Sequence, residues 1–251
     1  MDNPGILDIP QVVDDWPGNR GGEKKVPTAL AKRETEATRK WGFLCNELDE
    51  DKTWRFFKPL LGPVHSQSRR VDIATESEQK DPIQAATEYL RQIYCHNRIT
   101  IPKDISRKCF GYIEKLRGAG WDDWEVEFIF SVPTTWKTLD SQRRFGSIVH
   151  NAGFGKGKHK AVLGFTEAEA AAVAMVMDSE SAIRCDENDI FLSVDAGGGT
   201  TDLAFIRIVS ADTLKIDQVQ DVSGDEIGSM LIDMGFMQLV DERLQKYPQF
   251  Q

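Results

Sequence analysis

Ile190-Phe191-Leu192-Ser193-Val194-Asp195-Ala196-Gly197-Gly198-Gly199-Thr200-Thr201-Asp202-Leu203-Ala204-Phe205-Ile206-Arg207-Ile208-Val209 is the stretch whose reading decides the fold. Ile190 to Val194 is a compact apolar strand, three glycines turn the chain, and Leu203 to Val209 supplies a second strand. The pattern predicts a β-hairpin. A plain glycine turn is the competing reading, but a tight turn seldom needs three consecutive glycines flanked by two aspartates. Glycine reaches backbone angles closed to other residues and puts no side chain in the way. The N–H groups of such a turn can therefore cradle an anion such as a phosphate chain. Asp195, at the strand end, offers hard oxygen suited to Mg²⁺ or its bound waters. Thr200 adds a hydroxyl donor, and Asp202 a second carboxylate.

Working outward, Thr166-Glu167-Ala168-Glu169 is a capping-box pattern that opens an alanine-rich helix to about Met177. Locally Glu169 is the capping partner of Thr166, and Glu167 suits the positive end of the helix dipole. Residues 139–152 predict a helix, stopped by Gly153-Phe154-Gly155. Val126, Phe128, Phe130 and Val132 alternate with other residues as a strand ending at Pro133. Asp81 suits an N-cap and Pro82 the first helical position, followed by Ala85, Ala86, Tyr89, Leu90 and Ile93 at helical spacing. Residues 66–80 read as a polar connection, 16–25 as turn and loop, and 6–13 as a short extended segment. Lys156, Lys158 and Lys160 read as a solvated loop. Downstream, Gly228 to Leu244 predicts an amphipathic helix with Leu231, Met234, Met237 and Val240 on one side. The order of elements is mixed α/β, without an internal repeat.

Bulk properties narrow the function classes. In 251 residues, 40% hydrophobic with 13 Phe, the chain can bury a genuine core. A formal charge of −9 argues against a nucleic-acid partner, which needs a cationic face, but leaves room for a small phosphate site. The first residues carry no secretory signal, and the most apolar run, Ala170 to Met177, is far too short for a membrane span. Cys45, Cys95, Cys109 and Cys185 are scattered without a C-x-x-C pair, as in a reduced cytoplasmic protein.

The D-x-G-G-G-T-x-D stretch at Asp195–Asp202 resembles the second phosphate motif of the superfamily of actin, sugar kinases and DnaK-type heat-shock chaperones. Glu167-Ala168-Glu169-Ala170-Ala171-Ala172 is similar to the chaperones' E-P-x-A-A-A, and Val132-Pro133-Thr134-Thr135-Trp136 to their V-P-A-x-F/W. Ser141-Gln142-Arg143-Arg144 and Ala152-Gly153-Phe154 fit the following helix and its exit. Lys58-Pro59-Leu60-Leu61-Gly62 resembles K-R-L-I-G, and Val26-Pro27-Thr28 fits V-P-S/T. Trp16-Pro17-Gly18 and Trp41-Gly42 look like the divergent fungal branch of 70-kilodalton heat-shock-like proteins. The matches are collinear and cover nearly the whole chain.

The resemblance implies ATP or ADP with Mg²⁺ as cofactors. Asp195 would hold the metal through water, with Gly197, Gly198, Gly199, Thr200 and Thr201 on the phosphates. Glu167 and Lys58 would position the attacking water and the γ-phosphate, and Asp202 would assist with the proton or the metal shell. The implied fold is α/β, an incomplete ribonuclease-H-like, actin-type ATPase. Its first lobe would span residues 1–185, with an inserted subdomain around 25–110, and 186–251 would begin the second lobe.

Departures from the pattern matter as much. The family's opening D-x-G-T-T hairpin has no counterpart, since no D-x-G occurs ahead of Asp195. Ala168 replaces the family's proline. After Gly224-Asp225-Glu226-Ile227-Gly228-Ser229, similar to G-G-x-x-F/L-D, little of the second lobe follows. The expectation is a heat-shock-chaperone-like ATP-binding domain with weakened nucleotide binding, serving a client protein or co-chaperone, and with exposed apolar surface on its partial second lobe. The alternative is a non-enzymatic interaction or regulatory module on the same scaffold. A small-molecule kinase is disfavoured, because no kinase substrate motif is found.

Overall fold

Well-placed caps and period-two apolar patterns set the elements of this mixed α/β chain. A computed structural model describes residues 12–32, 39–62, 81–108, 120–136, 138–177, 186–210, 215–220, 223–225 and 227–247. Short strands β1 (Ala29–Ala31) and β2 (Thr53–Arg55) pair antiparallel, Leu30 opposite Trp54. Helix α1 (Pro82–Lys108) starts where the sequence predicts, with the Ile83 N–H donating to Asp81 Oδ1 at 3.0 Å. Next come β3 (Glu127–Val132), α2 (Leu139–Ala152), β4 (Lys160–Thr166) and α3 (Glu167–Met177), with β3 and β4 paired. A four-stranded sheet then contains β5 (Ile190–Ala196), β6 (Thr201–Ser210), β7 (Lys215–Gln218) and β8 (Ser223–Asp225), and α4 (Ser229–Leu244) closes the order.

The chain divides into two compact units. The first comprises Met1–Leu61, Ile73–Phe128 and Arg144–Val162, and the second Gly62–Asp72, Ile129–Arg143 and Leu163–Gln251. In the first, Ala85, Ala86 and Tyr89 form the buried face of α1, alongside buried Leu30, Trp41, Cys45 and Phe57. Arg39 and Glu88, both nearly buried, form an ion pair at 2.6 Å, and the Arg39 guanidinium lies 6.0 Å from the Trp54 ring centroid. A second aromatic cluster gathers Tyr94, Trp121, Phe128 and Phe154, with His159 buried at its edge. Gly153 and Gly155, both at positive φ, end α2 as expected. Cys45 and Cys95 are free thiols.

In the second unit, Ala168 and Ala172 of α3 pack on Ala204 and Ile206 of β6, with Phe191 and Ile216 beside them. Small alanines let the helix approach the sheet closely. The capping box forms as read: Thr166 N–H donates to Glu169 Oε2 at 2.8 Å, and Glu169 N–H to Thr166 Oγ1 at 3.2 Å. The outer sheet face, with Ile190, Leu192, Val194 and Phe205, stays exposed.

Two expectations are corrected. Lys160 does not end a solvated loop; it begins β4, its N–H donating to Val126 O at 2.8 Å. The helix after Gly228 forms, but it is not amphipathic. Met230 is its buried residue, while Leu231, Ile232, Phe236, Met237, Leu239 and Val240 are exposed around it. Its apolar residues occupy adjacent positions as well as i+3 and i+4, so no single stripe gathers them. The expected segments at 66–80 and at 6–11 lie outside the described residues. Among the described residues, no helix is long and apolar enough to cross a membrane.

Candidate functional site

The triple-glycine turn is built by the ladder on either side of it. β5 and β6 pair antiparallel from Ile190↔Arg207 to Ala196↔Thr201, leaving residues 197–200 as the connection. The Gly197 N–H donates to Thr200 O at 2.8 Å and closes the turn. Two of its carbonyls are taken by the start of α4, where Ser229 N–H donates to Gly197 O at 3.1 Å and Met230 N–H to Gly198 O at 3.0 Å. Thr201 Oγ1 adds a bond to Ile227 O at 2.6 Å. The approach is close enough to demand Gly228, because a Cβ there would lie 2.2 Å from Gly198 O.

Gly198 is different. A Cβ at this position would meet nothing within 4 Å, and its φ lies outside the left-handed region. The fold therefore does not require glycine there. Among the described residues, the N–H groups of Gly198, Gly199 and Thr200 take no hydrogen-bond partner within the chain. Backbone amides left unengaged in a turn are groups that an anion can use.

Asp195 and Asp202 stand directly opposite each other on β5 and β6. Like charges in that relation repel, and the arrangement is relieved by a cation or by donors to the carboxylates. Asp202 is wholly buried; its Oδ1 accepts the Thr134 N–H at 2.8 Å and the Thr134 Oγ1 hydroxyl as well. Among the described residues, its Oδ2 has no hydrogen-bond partner. Asp195 is half-buried. Glu167 begins α3, and the next residue, Ala168, accepts a bond from Ser193 Oγ at 3.1 Å. Ser193 and Asp195 share one face of β5, so the first turn of α3 sits on the face that carries both aspartates. Lys58 belongs to the first unit, exposed ahead of the Pro59–Leu61 turn, whose Leu61 N–H donates to Lys58 O at 3.1 Å.

The chain matches no family of known proteins and no curated protein in sequence.

Two residues of the site went unassigned in the sequence reading. Thr134 grips Asp202, and Gly224, paired with Asp202 through β8, leaves the gap in which they meet. A Cβ on Gly224 would fall 2.7 Å from both Asp202 Oδ1 and Thr134 Oγ1. The available signal for Thr134 was chemical: the resembled V-P-A-x-F/W pattern has a methyl side chain at this position, and this chain has a hydroxyl. Among the described residues, no group of three or more His, Cys, Asp or Glu side chains forms a metal cluster. Any cation here would need oxygen donors beyond the two facing aspartates.

Proposed function

We propose that the chain carries the second phosphate-binding hairpin of a ribonuclease-H-like, actin-type ATPase domain similar to DnaK-type heat-shock proteins, and binds Mg-ATP or Mg-ADP in the cytoplasm. The observation that carries this reading is Gly198, a glycine with no conformational or packing need for glycine, beside amides without partners. The residues present fit half of a phosphate cradle. Gly198, Gly199 and Thr200 would donate N–H groups to phosphate oxygens, and Asp195 would face the metal shell. When bound, Mg²⁺ would neutralise charge on the phosphates. Glu167, which opens the helix packed on the sheet face of the aspartates, would orient a water molecule. Such a site works by placement and charge stabilisation.

A second reading is a non-enzymatic interaction or regulatory module. The exposed apolar side chains of β5 and α4 favour it, since patches of this kind mark protein contacts.

Calorimetric titration of Mg-ATP and Mg-ADP, with Asp195→Ala and Gly198→Ala as comparisons, separates the two. The nucleotide reading expects wild-type binding that both substitutions weaken, with Gly198→Ala leaving the unfolding midpoint unchanged. Absence of binding in the wild type makes the interaction module the better account.

A further inference from the structure

Asp202 cannot turn freely. The Thr134 N–H at 2.8 Å and the Thr134 hydroxyl both donate to Oδ1, and both residues are buried. A hydroxyl has one proton to give. The alternative acceptor, Ser223 O, is 3.5 Å away, at the limit of a hydrogen bond, so the proton goes to the carboxylate. Two donors on one oxygen fix the carboxyl plane and therefore the direction of Oδ2. That atom is buried and, among the described residues, without a hydrogen-bond partner, which is costly for a carboxylate unless something else binds there. Gly224 keeps the junction open by having no side chain. The threonine is β-branched and stiff about χ1, so it holds its hydroxyl in place with little rotamer freedom to lose.

We propose that Thr134 is a positioning residue that locks Asp202 through Oδ1 and presents Oδ2 to the hydrated cation of a bound metal–nucleotide. The inference rests on the phosphate-site reading above. It assigns a role to a side chain on the β3–α2 connection, 68 positions away from Asp202 in sequence.

The experiment titrates ADP with Mg²⁺, and ADP with the metal chelated, into wild type, Thr134→Val and Thr134→Ser. Valine keeps the shape and removes the donor; serine keeps the donor and loses the methyl. Thr134→Val weakens Mg-ADP about tenfold and leaves metal-free ADP unchanged, as loss of one bond to a charged group should. Thr134→Ser restores wild-type affinity. Circular dichroism checks folding, and Thr134→Ala replaces the valine variant if that variant does not fold. Unchanged Mg-ADP affinity in Thr134→Val overturns the proposal, as does equal weakening in valine and serine variants or equal weakening with and without metal. A wild type that binds neither ligand sinks the phosphate-site reading, and this proposal with it. A wild type that binds while Thr134→Val matches it sinks the proposal alone.

Discussion

Gly224 has no room for a methyl group, and Gly198 has ample room. At Gly224 the added carbon meets Asp202 Oδ1 and Thr134 Oγ1 at 2.7 Å, with Thr201 O at 3.1 Å. Both side chains are short and buried, so neither can swing aside as a long flexible one would. Gly224→Ala should cost about 1–3 kcal/mol, the usual range for overpacking, read as a lower urea midpoint. Gly198→Ala, measured alongside, should stay within about 0.5 kcal/mol of wild type, as surface changes do. A Gly224→Ala midpoint equal to that of Gly198→Ala would remove the buried junction. The contrast also shows what single residues disclosed in advance. The Asp81 and Thr166 caps were legible because each bonds within three residues of itself. Three glycines between aspartates stood out by composition. Thr134 and Gly224 did not, because their importance lies in a meeting across long sequence separations, and no local pattern encodes the partner.

At the scale of elements, α1 carries a pH-sensitive contact with the loop before β1. His96 lies beside Trp16 and Trp41, with ring centroids 5.4 and 5.8 Å away, and its Nε2 meets Thr100 Oγ1 at 3.2 Å. Burial lowers its pKa below 6.5, opposed by a backbone hydrogen bond to Asp15 and by the charges of Asp15 and Asp104. The fold thus prefers the neutral ring. Stability from this source is complete above pH 6.5 and is lost as pH falls from there through the folded-state pKa. Thermal unfolding from about pH 7.5 down to about pH 5 should show a steeper decline for wild type than for His96→Phe. Equal slopes would mean that the ring titrates as freely as in the unfolded chain. Local signals gave the start of α1, the full span of α2, the capping box of α3 and the β5–β6 hairpin. They missed β4, whose Lys-Ala-Val-Leu-Gly-Phe-Thr run holds a glycine and starts inside a lysine cluster; its strand character comes from pairing with β3. They also gave α4 a one-sided stripe that its actual surroundings do not use.

At the scale of the whole molecule, the question is what its uncovered apolar surface does in water. The register puts Leu192 opposite Phe205 and Val194 opposite Leu203, so one sheet face is apolar across two strands. Leu192, Val194 and Phe205 are exposed on it, and on α4 Ile232 is 74% exposed and Phe236 65%. Exposed apolar surface in this part of the chain was expected from the sequence. The particular residues needed the register, which decides the face to which each alternate side chain is assigned. Exposed apolar surface of this kind binds hydrophobic dyes and invites association. The purified chain should therefore enhance the fluorescence of such a dye under native conditions, and Leu192→Lys with Ile232→Lys should reduce that enhancement. Because both side chains already sit in solvent, the double variant should keep the wild-type urea midpoint within about 0.5 kcal/mol. A native chain that unfolds cooperatively and leaves the dye dark would show that these faces are covered in solution. A large loss of stability in the double variant would show instead that Leu192 or Ile232 is packed against something, and the apolar faces would then belong to the core.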